Sequence, residues 1–269
     1  MTDLIFWPLM AALVVSSIHV YLGLHVVTRG VIFVDLALAQ AAAVGATVAF
    51  LMGMEPESIG AYLTALSFTL MGAWLFTVTR DTRGHIPQEA IIGITYAVGA
   101  AVMILLLSKA PEGASHINQL LVGSILFVTP GTVAYTAALY MVIGVLLYFY
   151  REPIAHASDH YHDVTEDRAW RKWNFLFYAL FGFVVTSAVQ IIGILLVFSY
   201  LIVPSVAAML YVQTWRARLI FGWIMALAAS LLGILASVWL DLPTGAAMVV
   251  TLGLLLVILA LLRMIIRKA

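Results

Sequence analysis

Long hydrophobic runs follow one another along this chain, and short polar or Gly/Pro-containing breaks separate them. A transmembrane helix needs about 20 apolar residues to cross a hydrocarbon core of about 30 Å, and each run reaches that length. The pattern therefore predicts an all-α membrane protein, a polytopic bundle in which residues 1–269 form a single transmembrane domain. The runs lie at 4–27, 31–53, 58–79, 87–108, 118–150, 173–211, 218–239 and 243–262.

Two of these runs are longer than one crossing requires. At about 1.5 Å per residue, the run 173–211 is long enough to cross twice, and we expect a tight turn near 186–190. The triplet Thr129-Pro130-Gly131 is expected to divide the run 118–150 into a short outer piece and a full helix. The bundle then has nine crossings with the turn in 173–211, and eight without it.

The basic residues indicate the orientation. Lys and Arg concentrate on the cytoplasmic side of membrane proteins. With the N-terminus outside and the double crossing allowed, twelve of the 13 Lys and Arg residues face the cytoplasm, and only Lys109 lies outside. This arrangement predicts a periplasmic N-terminus, a cytoplasmic C-terminus and a long cytoplasmic loop at 151–172. No Lys or Arg precedes the first run, so we expect that run to remain as a helix and not as a cleaved signal.

Composition narrows the possible chemistry. The chain is 64% hydrophobic and 10% charged, against about 25% charged in soluble domains. It has no cysteine, which excludes thiolate ligands and leaves imidazole, carboxylate and carbonyl groups. The sequence contains no G-x-x-x-x-G-K-[ST] loop, so we expect it not to hydrolyse ATP itself. Scattered basic residues at helix ends give no support for nucleic-acid binding.

Four segments of the chain stand out together: 25–35 running on to 43–45, 123–126, 193–197 leading to 201–204 and 207–208, and 240–246. By their order and spacing, these segments resemble the permeases of zinc, manganese and iron importers of the ATP-binding-cassette type (the ABC-3 type), which are similar in fold to the cobalamin and siderophore importer permeases. The resemblance implies a type II ABC importer permease fold of 8–9 transmembrane helices.

The same resemblance implies a function and a set of partners. The chain would be the permease subunit of an ATP-driven importer in the bacterial inner membrane. It would move zinc, manganese or iron from periplasm to cytoplasm as a homodimer. A separate cytoplasmic ATPase dimer would hydrolyse the ATP, and a periplasmic metal-binding protein would deliver the ion. No covalently bound cofactor is expected.

The candidate polar side chains inside the predicted membrane segments are His19, His25, Asp35, Gln40 and Gln190. Such residues are costly in a bilayer and mark either function or an internal hydrogen-bonded pair. In an antiparallel hairpin that turns near 29–30, His25 and Asp35 share a depth of roughly 7 Å from the cytoplasmic side, and His19 and Gln40 one of roughly 15 Å. We interpret them as candidate metal-handling residues of a translocation path. The alternative is that they only join helices.

The second helix departs from the family pattern, in which an Asp stands four residues before a His. Counting back from Gly45, Gln40 holds the His position and Leu36 the Asp position, while Asp35 is displaced by one residue. An amide carbonyl is a poorer zinc ligand than imidazole. The hypothesis is that His19 supplies the missing imidazole, with Asp35 and His25 as a second station.

The cytoplasmic loop 151–172 contains two candidate features. His156, His160 and His162 have a spacing that can bind zinc or nickel, although such loops are often only solvated. The second feature resembles the coupling helix by which related importers contact their ATPase, with a threonine cap and acidic residues in the first turn. The candidate coupling residues are Thr165, Glu166, Asp167, Arg168 and Ala169.

Other functions remain open on the residues alone. The cargo of an importer of this type is alternatively a metal chelate or another small solute. A proton-coupled secondary carrier needs carboxylates buried in the middle of the membrane, whereas the candidates are Asp35 near one face and Asp241 at the other. An intramembrane enzyme has less support, because the sequence contains neither His-Glu-x-x-His nor Gly-x-Ser-x-Gly.

Overall fold

The computed structural model describes residues 2–56, 58–80, 86–108, 113–159, 161 and 168–266. All regular structure in these ranges is helical. Eight of the helices are long and apolar enough to cross a membrane, which confirms the predicted all-α polytopic fold and its eight hydrophobic runs. The helices are α1 (Thr2–Arg29), α2 (Val34–Leu51), α3 (Ile59–Val78), α4 (Gln88–Leu107), α5 (Gly113–Val122), α6 (Pro130–Phe149), α7 (Arg151–Asp159), α8 (Arg168–Tyr211), α9 (Trp215–Leu240) and α10 (Thr244–Ile266).

Local sequence explains where several helices begin and end. Gly30 follows α1 with φ of 67°, a left-handed conformation that glycine adopts without a Cβ penalty. Ser58 caps α3 by accepting a hydrogen bond from the Ala61 backbone N–H at 3.2 Å. Pro130 is the first residue of α6, where a backbone N–H would have no partner within the helix, so proline is tolerated. Thr129 Oγ1 accepts a hydrogen bond from the Thr132 N–H. The predicted division of the run 118–150 is therefore confirmed.

The long helix α8 breaks at Gly193, which has φ of 75° and ψ of 163°. The turn predicted near 186–190 is wrong, because Thr186 lies within regular helix and the chain instead uses a glycine a few residues later. The Ser124 N–H donates to the Ile191 carbonyl at 3.1 Å just before this break, and Gly123 lies against the backbone of Ile192 and Gly193 with no room for a Cβ.

The chain divides into two compact units. The first comprises 1–27, 122–142 and 191–269, and the second comprises 28–121 and 143–190. In the first unit, α9 packs on α10, with Gly233 against the Met248 backbone. Close approaches of this kind drive helix association in lipid.

In the second unit, α2 packs against α3 and α4, and Gly45 lies against the Ala65 backbone. The 168–190 part of α8 runs antiparallel to α3. Thr186 meets Thr69 with hydroxyl oxygens 2.9 Å apart, and Tyr178 meets Phe76 at a ring-centroid distance of 6.5 Å.

Candidate functional site

His19 lies in the middle of α1 with 0% of its surface exposed. Its Nδ1 is 2.8 Å from the Val15 carbonyl oxygen. Because a carbonyl only accepts, Nδ1 carries the proton and Nε2 carries the lone pair of the neutral ring. Nε2 has no hydrogen-bond partner among the described residues, and the ring centroid lies 6.2 Å from that of Tyr140. A buried imidazole nitrogen with an unused lone pair is a competent ligand for a passing metal ion.

His25 lies two turns further along α1, and it is also buried. Its ring contacts two aromatic side chains, with centroid distances of 5.0 Å to Tyr21 and 4.7 Å to Trp215. Tyr21 and Trp215 also meet edge to face. These contacts hold the imidazole in a fixed position between α1 and the start of α9.

Asp35 lies in the first turn of α2 and is completely buried. Neither carboxylate oxygen has a hydrogen-bond partner within the part of the chain that the structure describes. A buried carboxylate without such partners is costly, although the helix N-terminus favours its negative charge. This side chain is suited to meeting a cation that is not permanently present.

Gln40 is buried on α2, where its amide nitrogen donates to the Met103 thioether of α4 at 3.7 Å. Gly99 lies one turn before Met103, and its missing Cβ leaves the space that the Gln40 side chain fills. The hydrogen bond fixes the orientation of the amide and occupies its nitrogen. Sequence reasoning missed Met103, since a methionine in an apolar helix gives no signal of its neighbour.

The four candidates are divided between the two compact units. His19 and His25 belong to the first unit, while Asp35 and Gln40 belong to the second, so the predicted pairings stay predictions. Among the described residues, no three His, Cys, Asp or Glu side chains lie close enough together to hold a metal ion.

Part of the loop 151–172 can be placed. The short helix within it is α7, which buries Ile154 and Ala157 and exposes His156. Arg168 and Ala169 lie in the first turn of α8, the long helix. The other predicted loop residues, His160, His162, Thr165, Glu166 and Asp167, lie outside the described residues.

A buried arginine at the end of α1 was not recognised as a site from the sequence. Arg29 is 0% exposed, and its guanidinium carbon lies 3.8 Å from the Phe177 ring centroid. Nη1 donates to Asn174 Oδ1 at 2.5 Å, and Nε donates to Ser158 Oγ at 2.9 Å. The positive-inside pattern places this charge on the cytoplasmic side but does not indicate that it is buried. We call Arg29, Ser158, Asn174 and Phe177 the Arg29 cluster.

A second guanidinium lies beside this cluster. Arg80 lies over the rings of Tyr161 and Trp170, at 4.6 and 4.1 Å, and donates to the Tyr161 carbonyl. The Tyr161 hydroxyl is 3.0 Å from that of Tyr178. Burial raises the pKa of the Tyr161 hydroxyl well above 10.0, and the neighbouring Tyr178 acts in the same direction. The hydroxyl is therefore neutral at physiological pH.

Comparisons with known proteins agree on one class. A family model described as the ABC 3 transport family matches residues 1–263. The manganese import system permease protein ScaB of Streptococcus gordonii is 22% identical over 251 residues, covering 93% of this chain and 88% of ScaB. The chelated iron transport system membrane protein YfeC of Yersinia pestis is 23% identical over 237 residues, covering 88% and 78%.

Solved structures show the same fold. PsaBC from Streptococcus pneumoniae, solved in complex with Fab, matches with a TM-score of 0.77 at 22% identity. The match covers 94% of this chain and 89% of that chain.

Proposed function

Because the chain belongs to the ABC 3 transport family, as a multi-pass permease, we propose that its cargo is a divalent transition-metal ion. The observation that carries the proposal is the family match over residues 1–263. The relatives named for manganese and for chelated iron make those two metals the first candidates, with zinc as the third. The absence of cysteine leaves imidazole, carboxylate and amide oxygen as ligands, all of which suit manganese or iron.

We infer the other subunits of the transporter and the orientation of the chain from the same family membership. Two copies of the chain form a homodimer in the bacterial inner membrane, with the N-terminus in the periplasm and the C-terminus in the cytoplasm. A cytoplasmic ATP-binding-cassette ATPase dimer binds the loop 151–172 and hydrolyses the ATP. A periplasmic binding protein delivers the ion to the opposite face.

Within the membrane, we propose that His19 and Asp35 contact the ion during its passage. His19 offers a lone pair on Nε2, and Asp35 offers a buried negative charge. The His25 ring is packed against Tyr21 and Trp215, and the Gln40 amide is hydrogen-bonded to Met103; we assign these two residues weaker roles in the same path.

The test of cargo is a deletion strain analysed for its elements. Deletion of the gene should lower cell manganese or iron under limitation of that metal, and the wild-type gene should restore it. A variant ATPase unable to hydrolyse ATP is the matched control and should behave like the deletion. Unchanged cell content of manganese, iron and zinc under limitation of each would overturn the metal assignment.

A metal chelate is the second candidate cargo. Gln40 stands where the family has a histidine, and its amide is hydrogen-bonded to Met103, so the second helix lacks the imidazole that binds a bare ion strongly. Uptake of the free ion should be compared with uptake of the same ion bound to a chelator. Accumulation of the intact chelate alone would favour this candidate.

A further inference from the structure

The Arg29 cluster joins three separate parts of the second compact unit. Arg29 ends α1 and immediately precedes the turn to α2. Its Nε–H donates to Ser158 on α7 and its Nη1–H to Asn174 on α8. The guanidinium also lies against the Phe177 ring, one turn further along α8. One buried side chain therefore connects the α1–α2 turn to α7, which lies in the cytoplasmic loop 151–172, and to α8, which begins in that loop.

The chemistry of these bonds makes the connection rigid. The guanidinium is planar, and its donors have a fixed fork geometry, so a shift of Ser158 or Asn174 must displace Arg29 or break a charge-assisted bond. Because the group is completely buried, water is not at hand to replace a broken bond. Movement of α7 is therefore passed on to the end of α1.

The turn that receives this movement carries a candidate path residue. Gly30 and Val31 lead into α2, where Asp35 lies buried in the first turn. The turn is short and is closed by a hydrogen bond from the Val34 N–H to the Val31 carbonyl at 3.2 Å, so a displacement at Arg29 shifts the backbone next to Asp35.

We propose that Arg29 is a positioning residue that transmits movement of α7 to the α1–α2 turn and so couples the cytoplasmic loop to the membrane path. The proposal rests on the proposed function, in which an ATPase binds this loop. Arg29 itself contacts neither the ATPase nor the cargo in this role. Lysine at the same position keeps the charge but lacks the fork that bonds to α7 and α8 together.

The chain has no cysteine, so a single cysteine introduced into it can be labelled specifically in the purified permease before the complex is assembled. Glu152→Cys reports on α7 from its exposed face, and Phe33→Cys, at a half-exposed position, reports on the α1–α2 turn. Each labelled permease is assembled with its ATPase in proteoliposomes, and the fluorescence change on adding ATP is recorded.

In the wild-type background, both labels should respond to ATP. In Arg29→Gln, the Glu152 label should respond as before, while the response at Phe33 should fall about fivefold or more, as for typical coupling energies. Ser158→Ala removes the hydroxyl that accepts from Arg29, together with its own bond to the Ile154 carbonyl within α7, and should lower the Phe33 response in the same direction. Arg29→Lys should restore part of it. Arg218→Gln is the matched control and should change neither response, because Arg218 is a half-buried arginine that donates to the Val212 carbonyl elsewhere.

A full Phe33 response in Ser158→Ala and in assembled Arg29→Gln would overturn the proposal. If Arg29→Gln does not assemble, Ser158→Ala alone decides. Loss of both label responses in Ser158→Ala would also overturn it, since the bond would then only hold α7 in place. A Glu152 label that ignores ATP in the wild-type background would instead refute ATPase binding at this loop, and with it the role of Arg29.

Discussion

Gly23 permits the closest approach of α1 to the later part of α8. A Cβ added at Gly23 would overlap the Leu201 carbonyl oxygen, lie 2.5 Å from Ser205 Oγ and lie 2.8 Å from the Leu201 carbonyl carbon. Two of these atoms are backbone and cannot rotate away. Gly23 lies between His19 and His25 on α1, so this packing also fixes the two histidines.

The expected effect of Gly23→Ala combines two terms. Overpacking costs about 1–3 kcal/mol, and a clash with backbone atoms lies at the upper end of this range, at about 3 kcal/mol. Alanine regains about 1 kcal/mol of helix propensity over glycine. The net loss is about 2 kcal/mol, which corresponds to a fall in melting temperature of roughly 4–8 °C for a chain of this size.

The assay is thermal unfolding of the purified permease in detergent. Gly253→Ala is the matched control, because Gly253 lies in α10 and its added Cβ meets no atom within 4 Å. That variant should gain about 1 kcal/mol and melt roughly 2–4 °C higher. Equal melting temperatures for the two variants would refute the close approach of α1 and α8 at Gly23.

Two further predictions concern a single side chain each. His19→Ala should lower metal uptake by about tenfold or more at equal expression, since even outer-shell partners of metal ligands contribute 10–100-fold. Ser17→Ala, at an exposed position of the same helix, is its control, and unchanged uptake in His19→Ala would remove His19 from the path. Burial raises the folded-state pKa of the Tyr161 hydroxyl above 10.0. The contribution of the neutral hydroxyl to stability is therefore complete below about pH 10 and is lost as the pH rises through the folded-state pKa. Wild-type melting temperature should therefore fall more steeply than that of Tyr161→Phe above about pH 10, and parallel profiles would contradict this.

The membrane helices could be predicted from the sequence because their signal is strong and local. Length and apolarity alone define a crossing, and Thr129-Pro130 carries its own helix-start chemistry. The break in α8 was misplaced because polar residues near Thr186 look like a turn. In the structure, the Thr186 hydroxyl meets that of Thr69 within the bundle, and the backbone conformation of Gly193 makes the break.

The candidate site was predictable only in part. Burial of His19 and Asp35 follows from their positions in apolar runs. The hydrogen-bond partners of Arg29 and Gln40 do not follow from the sequence, because Asn174 and Met103 are distant along the chain and neither residue type marks a site. Charge patterning assigns Arg29 to a side of the membrane, but only packing shows that its guanidinium joins α7 and α8.

The proposed import of a transition-metal ion with energy from ATP can be tested directly by the accumulation of radioactive manganese in proteoliposomes that contain the permease, its ATPase and the binding protein. Accumulation should require ATP, be competed by excess iron or zinc, and stop when the ATPase is inactivated. Accumulation that follows a proton gradient without ATP, or no accumulation of manganese, iron or zinc with ATP present, would contradict it.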